Sequence, residues 1–313
     1  MKNRQRQPRS GFTLIELLVV MAIVAMLVAI FSVGAKKVKV ISKGLQQKSM
    51  FHAIEVGLEL FSGDFDGYPN SDIREAGGYR VTGAQHLAEA MLGRDQRGFD
   101  PLTGWFPHAD DLPQFNPNAP ADLYTETAAS LARRKGPYCD LKYGEILTIY
   151  DLWNGERGPL GIYETPPAAV NAKISPIITD VFNRNDRPSG GRVGMPILYF
   201  KADSTKSFRV DADRKTVLNP NYAAYSQWIY NFYDNLPVVQ LPWLRDTTVT
   251  GADKHYRDPD DATKNQAQVF YEQITKQTDG KDFYKPQNAG SFLLISAGWD
   301  GIYGTKDDII NFD

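Results

Sequence analysis

Apolar residues form one long block near the start of the chain. From Leu17 to Phe31 there are 15 consecutive apolar residues, and Glu16 is the only ionisable residue between positions 12 and 35. A helix that crosses a bilayer needs about 20 predominantly apolar residues. The block therefore predicts a membrane-spanning helix that carries one carboxylate near its start.

The helical pattern continues beyond this block. Apolar residues recur at spacings of three and four, at Val38, Ile41 and Leu45 and then at Phe51, Ile54, Leu58 and Phe61. The string "SGDFDGYPN" then introduces turn formers, which predict that the helix ends there. We expect one helix over residues 12–62, whose second half is covered by the globular part of the chain.

The rest of the chain predicts short elements of both kinds. "GAQHLAEAMLG" (83–93) and "NQAQVFYEQIT" (265–275) predict helices, and another short helix is expected just before "SLARRKGPYC". "PILYFKAD" (196–203) and "SFLLISAG" (291–298) predict strands, and "FRVDA" (208–212) is a weaker candidate. "YRDPDDATK" (256–264) is interpreted as a solvated loop. The predicted fold is α+β: a long N-terminal helix packed on a C-terminal α+β head with a small antiparallel sheet.

Charge and cysteine content exclude some classes of protein. The chain has 313 residues, with 35 basic and 37 acidic side chains, so no nucleic-acid partner is expected. Its single cysteine excludes an internal disulfide.

Basic residues precede the apolar block and five lysines follow it, so their number does not fix the orientation in a membrane. A cleaved signal peptide stays an alternative, with Ser32, Gly34 and Ala35 as a loose cleavage site.

The string "GFTLIELLVV" (residues 11–20) resembles the cleavage and methylation signal of type IV pilins and type II secretion pseudopilins. The resemblance implies that prepilin peptidase cuts between Gly11 and Phe12 on the cytoplasmic side and methylates the new N-terminus at Phe12. Residues 1–11 would then be a leader, and the apolar helix would stay in the protein.

The same resemblance gives Glu16 a role in assembly. Its carboxylate would neutralise the amino group of Phe12 on a neighbouring subunit, and a charge buried in hydrocarbon costs much less when it is paired. The alternative is a carboxylate that reaches the headgroup layer. One departure from the family is Val33, where many relatives have a proline.

The region after the helix also resembles that of major pseudopilins. "LELFSGDFDGYPNS" and "TGAQHLAEAMLG" show the acidic turn, the Tyr-Pro pair and the short helix of those proteins. The resemblance is lost near residue 93 and returns at the C-terminus. We therefore expect a leader (1–11), a transmembrane and stalk helix (12–62), and a periplasmic head (63–313) with a large middle insertion at about 94–285.

The C-terminal string "SAGWDGIYGTKDDIINFD" is rich in aspartate and glycine. Hard cations such as calcium prefer carboxylate and carbonyl oxygens. The spacing does not fit an EF-hand, but the loop resembles the calcium loop of major pseudopilins. That resemblance implies a structural calcium ion held by Asp300 and by Asp307 or Asp308, with carbonyl groups from residues such as Ser296 or Thr305. The alternative is a solvated acidic turn.

No sequence motif predicts an enzyme. The four histidines form no close pair, and no nucleophile elbow or phosphate-binding loop appears. Cys139 is expected to be a packing residue. The second acidic turn, "DFDG" at 64–67, is interpreted as a turn that ends the helix rather than a metal site.

These resemblances imply a structural subunit of a type II secretion pseudopilus. It would be a single-pass protein of the bacterial inner membrane, with the head in the periplasm. Its partners would be other copies of itself, other pseudopilins, prepilin peptidase and the secretion assembly platform. Two alternatives stay open: a type IV pilin or minor pilin for adhesion, motility or DNA uptake, and a membrane-anchored binding or hydrolytic protein whose large head carries the function.

Overall fold

A computed structural model describes most of the chain. The described residues are 11–76, 79–106, 122–141, 145–149, 152, 175–183, 185–186, 191–206, 228–240, 254–277 and 284–312. Two compact units are present, residues 1–43 and residues 44–313. The weak strand predicted at 208–212 lies outside the described residues.

One helix of 52 residues is followed by short helices and strands in the described parts of the chain. The helices are α1 (Leu14–Phe65), α2 (Gly83–Leu92), α3 (Ala128–Arg133), α4 (Leu236–Val239) and α5 (Gln266–Gln273), with 3-10 turns η1 (Pro101–Thr103) and η2 (Phe232–Asp234). The strands are β1 (Arg74–Ala76), β2 (Tyr79–Val81), β3 (Glu145–Thr148), β4 (Pro176–Thr179), β5 (Asn185–Asp186), β6 (Arg192–Val193), β7 (Leu198–Lys201), β8 (Thr275–Gln277), β9 (Tyr284–Pro286), β10 (Phe292–Ser296) and β11 (Ile309–Ile310).

All the strand pairs in the described residues are antiparallel. A three-stranded sheet has the order β11-β10-β7, and the remaining strands form the pairs β1-β2, β3-β4, β5-β6 and β8-β9. The two strands predicted with most support, β7 and β10, are therefore neighbours. This arrangement confirms the predicted α+β class with small antiparallel sheets, and it is consistent with a pilin-like fold.

Strands β10 and β7 are buried on both faces apart from Lys201 at the end of β7, so they show no regular alternation of apolar and polar residues, whereas β11 is half-buried. Leu293 and Ile295 of β10 pack in one cluster, which also contains the aromatic side chain of Phe270 from α5. Phe292 and Leu294, which alternate with them, pack in a second cluster with residues of α1 and α2. Alternate side chains of a strand point to opposite faces, and here each face meets helices.

The second cluster contains one face of α1. Phe51, Ile54, Leu58 and Phe61 are at most 3% exposed, and full burial of such a side chain contributes about 1.5–3 kcal/mol. A Cβ atom at Gly57 would lie 2.8 Å from Met91 of α2, so the absence of a side chain permits close packing of α1 on α2.

Within the unit that begins at residue 44, the first apolar position of α1 is not covered. Leu45 is 65% exposed. Burial of α1 begins at Gln47, whose Oε1 accepts a hydrogen bond from the Val181 backbone N–H at 3.0 Å. The spacing of apolar residues identified the helix, but it did not identify which turns the head covers.

Helix α1 ends within the predicted acidic turn. Its last residue is Phe65, and Asp66 then has a positive φ of 55°. The following turn is anchored to the head because the Tyr199 hydroxyl donates to the Pro69 carbonyl at 2.8 Å. The interpretation of "DFDG" as a turn that ends the helix is confirmed.

The interpretation of residues 256–264 as a solvated loop is only partly right. Tyr256 is fully buried against Phe232 and Phe270, so it belongs to the core. Lys264 bridges Asp258 at 2.6 Å and Glu272 of α5 at 2.8 Å. The prediction therefore missed two features of this charged segment: Tyr256 is a core residue, and Lys264 forms an ion pair that connects the loop to α5.

Candidate functional sites

The start of α1 carries the predicted processing site. Gly11, Phe12 and Thr13 precede the helix and are exposed, with Phe12 76% exposed. Among the described residues, a Cβ atom at Gly11 would meet nothing within 4 Å. No described residue therefore covers the peptide bond between Gly11 and Phe12.

Glu16 lies in a capping box with Thr13. The backbone N–H and the hydroxyl of Thr13 both donate to Glu16 Oε2 at 2.8 Å, and the Glu16 N–H donates to Thr13 Oγ1 at 3.3 Å. Such a box satisfies N–H groups that a helix leaves unpaired at its start, and the helix dipole favours a negative charge there. The role of the Thr13 side chain was not predicted, although the spacing T-x-x-E is the signal for it.

The helix after this cap is suited to a membrane. Residues Leu14–Phe31 have a mean hydropathy of 3.0, and none of them is buried. This is the one helix in the described parts of the chain that is long and apolar enough to cross a bilayer. The assignment of a possible membrane span rests on the length and the composition of the helix alone.

The C-terminal acidic loop, residues 297–308, joins β10 to β11. The Asp300 backbone N–H donates to Asp307 Oδ2 at 2.8 Å, and the Thr305 hydroxyl donates to Asp307 Oδ1 at 2.7 Å. Gly298, at φ +65°, permits this closure, since a Cβ atom there would lie 2.0 Å from the Asp307 carbonyl oxygen. Two of the three predicted calcium ligands are thus adjacent.

The two adjacent carboxylates differ in their electrostatics. Partial burial and the neighbouring Asp307 raise the pKa of Asp300 above its usual range. Burial also disfavours the ionised form of Asp307, but hydrogen bonds from Thr305 and the Asp300 backbone outweigh it and lower its pKa. A cation at this pair would stabilise both ionised forms.

Asp308 faces a different environment. Its Oδ2 accepts from the Gly304 N–H at 2.8 Å and from the Gln273 amide at 2.5 Å, and burial raises its pKa to about 7. Its Oδ1 is buried without a hydrogen-bond partner.

Among the described residues, no three His, Cys, Asp or Glu side chains gather where they could hold a metal ion. The pair Asp300 and Asp307 suits a hard cation, whereas Asp308 would need to turn to join it.

The comparisons with known proteins bear on the N-terminal end of the chain. Residues 6–32 match the family model of the prokaryotic N-terminal methylation motif. The chain carries a prepilin-type signal. The chain as a whole matches no curated protein and no solved structure. The signal, the apolar helix and the α+β body support a membrane-anchored, type IV pilin-like or pseudopilin protein.

The prepilin-type signal implies two interactions: processing by prepilin peptidase and filament assembly with other pilin-like subunits. Gly11, Phe12 and Glu16 all lie within the matched residues. The match ends at residue 32. It therefore gives no information about the head.

The remaining candidate side chains are dispersed in the head. His86 and His255 are buried, His52 is exposed, and His108 lies outside the described residues. Cys139 is 8% exposed and packs in the second cluster, and burial raises its pKa to about 11. It is therefore a packing residue, as predicted, and its thiol is poorly suited to nucleophilic chemistry.

One buried charged network was missed by sequence reasoning. Glu89 of α2 and Arg94 are each 2% exposed and form an ion pair at 2.9 Å. The Tyr124 hydroxyl also donates to Glu89 at 2.9 Å, and the Arg94 Nη2 donates to the Phe106 carbonyl at 2.8 Å. The network connects α2 to the loops that follow it, which is a structural role.

Proposed function

We propose that this protein is a structural subunit of a type II secretion pseudopilus. Prepilin peptidase would cut it between Gly11 and Phe12, and the mature chain would polymerise through α1 in the inner membrane with its head in the periplasm. The match of residues 6–32 carries the proposal. The preference for secretion over a pilus rests on the acidic C-terminal loop and its resemblance to that of major pseudopilins.

Mass spectrometry of the native N-terminus tests the processing step. The expected species begins with N-methyl-Phe12, and Gly11→Val should leave the leader attached. Gly34→Val is a matched control, because a Cβ atom at either glycine would meet no atom of the described residues within 4 Å. An intact leader in the native protein, or a cut near Ala35, would contradict the proposal.

Assembly would depend on the charge of Glu16 as well as on its hydrogen bonds. Glutamine can occupy the same position of a capping box as glutamate. Glu16→Gln therefore retains an acceptor for Thr13 but loses the negative charge. We expect this variant to insert and to be processed normally, yet to form no filaments under electron microscopy. Normal filaments from Glu16→Gln would show that the ion pair with Phe12 of a neighbour is not needed.

A structural calcium ion is a second part of the proposal. It would be held by Asp300 and Asp307, with a contribution from Asp308 if its side chain turns. Ligands that bind only the folded state raise its stability, so calcium should raise the melting temperature of the full chain in detergent. Asp300→Asn should abolish that increase, whereas Asp260→Asn, at an exposed aspartate elsewhere, should retain it. An equal increase in both variants would exclude this site.

The size of the head favours a minor pilin or tip subunit as the second candidate. Electron microscopy of immunolabelled filaments separates the two, because a major subunit would be labelled along the whole filament and a tip subunit at one end. Neighbouring genes for a secretion ATPase and a secretin would support the first candidate. An isolated head that binds glycan or turns over a substrate would instead support a membrane-anchored binding or hydrolytic protein.

A further inference from the structure

The charges that follow the apolar helix are all of one sign. Between Glu16 and Glu55 every Asp, Glu, Lys or Arg residue is a lysine, namely Lys36, Lys37, Lys39, Lys43 and Lys48. The leader cations lie before Gly11, so cleavage there would remove them and leave these lysines as the basic residues that flank the span. Lys37 and Lys39 are exposed in the structure.

The lysines begin at the depth of the lipid headgroups. Residues 14–35 form about 33 Å of helix at 1.5 Å per residue, close to the roughly 30 Å of hydrocarbon in a bilayer. Lys37 and Lys39 follow within one to two turns, in the interfacial layer. Lys43 is about 12 Å beyond Ala35, a distance comparable to the Debye length of about 10 Å at 0.1 M salt.

Their distribution around the helix favours lipid over a protein partner. Lys37 and Lys39 are two positions apart and project from different sides of α1, whereas Lys43 follows Lys39 by four positions and shares its side. A protein partner would contact one side, whereas headgroups surround a spanning helix. Two lysines at this spacing repel each other, and anionic headgroups would offset that repulsion.

We propose that Lys37, Lys39 and Lys43 form a basic collar that binds anionic phospholipid headgroups around the unassembled subunit. The ligand class is a glycerophospholipid with a net negative charge, and the contacts are between ammonium groups and phosphate oxygens. The collar would hold the helix at a fixed depth before the subunit joins a filament. The proposal requires the membrane anchoring described above but no particular secretion or pilus system.

Native mass spectrometry of the full chain in detergent with equal amounts of phosphatidylglycerol and phosphatidylcholine tests the collar. Each lysine near a membrane surface should favour anionic lipid about 5-fold, so the three together give a preference on the order of 100-fold. Replacing all three with glutamine should remove most of this preference. A control with Lys135, Lys276 and Lys285 replaced by glutamine changes the net charge equally, at exposed positions of the head, and should keep it.

Three results would overturn the proposal. Equal retention of the two lipids by the wild type would exclude a charged headgroup site. The same preference in both triple variants would show that the collar lysines are ordinary solvated charges. A collar variant that retains lipid normally but fails to form filaments would assign these lysines to a protein partner. None of these results depends on whether the filament belongs to a secretion system.

Discussion

Replacing Gly298 with alanine tests how the acidic loop is closed. Gly298 has a φ of +65°, and a Cβ atom there would lie 2.0 Å from the Asp307 carbonyl oxygen. Gly301 has a similar φ of +71°, but its Cβ atom would meet only Met195, at 3.8 Å. Alanine at Gly301 therefore introduces backbone strain alone, whereas alanine at Gly298 introduces the same strain and a collision with the backbone.

The two effects can be given magnitudes. Left-handed backbone geometry costs an alanine about 1–2 kcal/mol, which both variants should show. The collision at Gly298 cannot be relieved by rotating a side chain, and forcing extra atoms into a packed site costs about 1–3 kcal/mol. We expect Gly298→Ala to lose about 2–5 kcal/mol in total. The loop should also lose the contact between the Asp300 N–H and Asp307.

Thermal unfolding of the full chain in detergent measures the difference. One kcal/mol corresponds to about 2–4 °C for a body of this size, so Gly298→Ala should melt at least a few degrees below Gly301→Ala. Trp299 packs edge-on against Phe182, with ring centroids 6.3 Å apart, and its fluorescence should report local change. Equal melting temperatures for the two variants would refute the reasoning about loop closure.

The head offers further tests by urea unfolding. Leu58→Ala should lose about 2–5 kcal/mol, because Leu58 is fully buried, whereas Leu60→Ala, at a residue 56% exposed, should change little. Glu89→Ala should lose about 3–5 kcal/mol because it leaves the Arg94 charge buried without its main partner. Burial lowers the pKa of His86 to about 4, so the unfolded chain binds a proton first on acidification. Stability should fall by roughly 2–3 kcal/mol between pH 6.5 and 4, and His86→Gln should weaken this dependence; an unchanged pH profile would contradict it.

Sequence patterns predicted the elements whose signals are local. The apolar block, the helices at 83–92 and 266–273 and strands β7 and β10 all combine periodicity with clear boundaries. The capping box at Thr13 has a local sequence signal, the spacing T-x-x-E, although it was not predicted. Each of these features depends on residues within a few positions of one another.

Features that depend on distant segments were not predictable in this way. The burial of Tyr256 requires α5 and η2 to enclose it, and its charged neighbours in the sequence suggest the opposite. The side chain of Asp308 turns toward Gln273, which is 35 positions away in sequence, and no local pattern separates it from Asp307. The exposure of Leu45 likewise depends on where the head begins to cover α1.

The burial of one face of α1 has a mechanical consequence. Met50, Phe51, Ile54, Leu58 and Phe61 are part of the core, and α1 cannot separate from the head without exposing all of them to water. A pull applied along this part of the helix would therefore be resisted by many apolar contacts acting together, with Gln47 adding a hydrogen bond to the Val181 backbone. A force applied to residues 47–61 would therefore be transmitted through these contacts to strand β10, whose Phe292 and Leu294 lie in the same cluster.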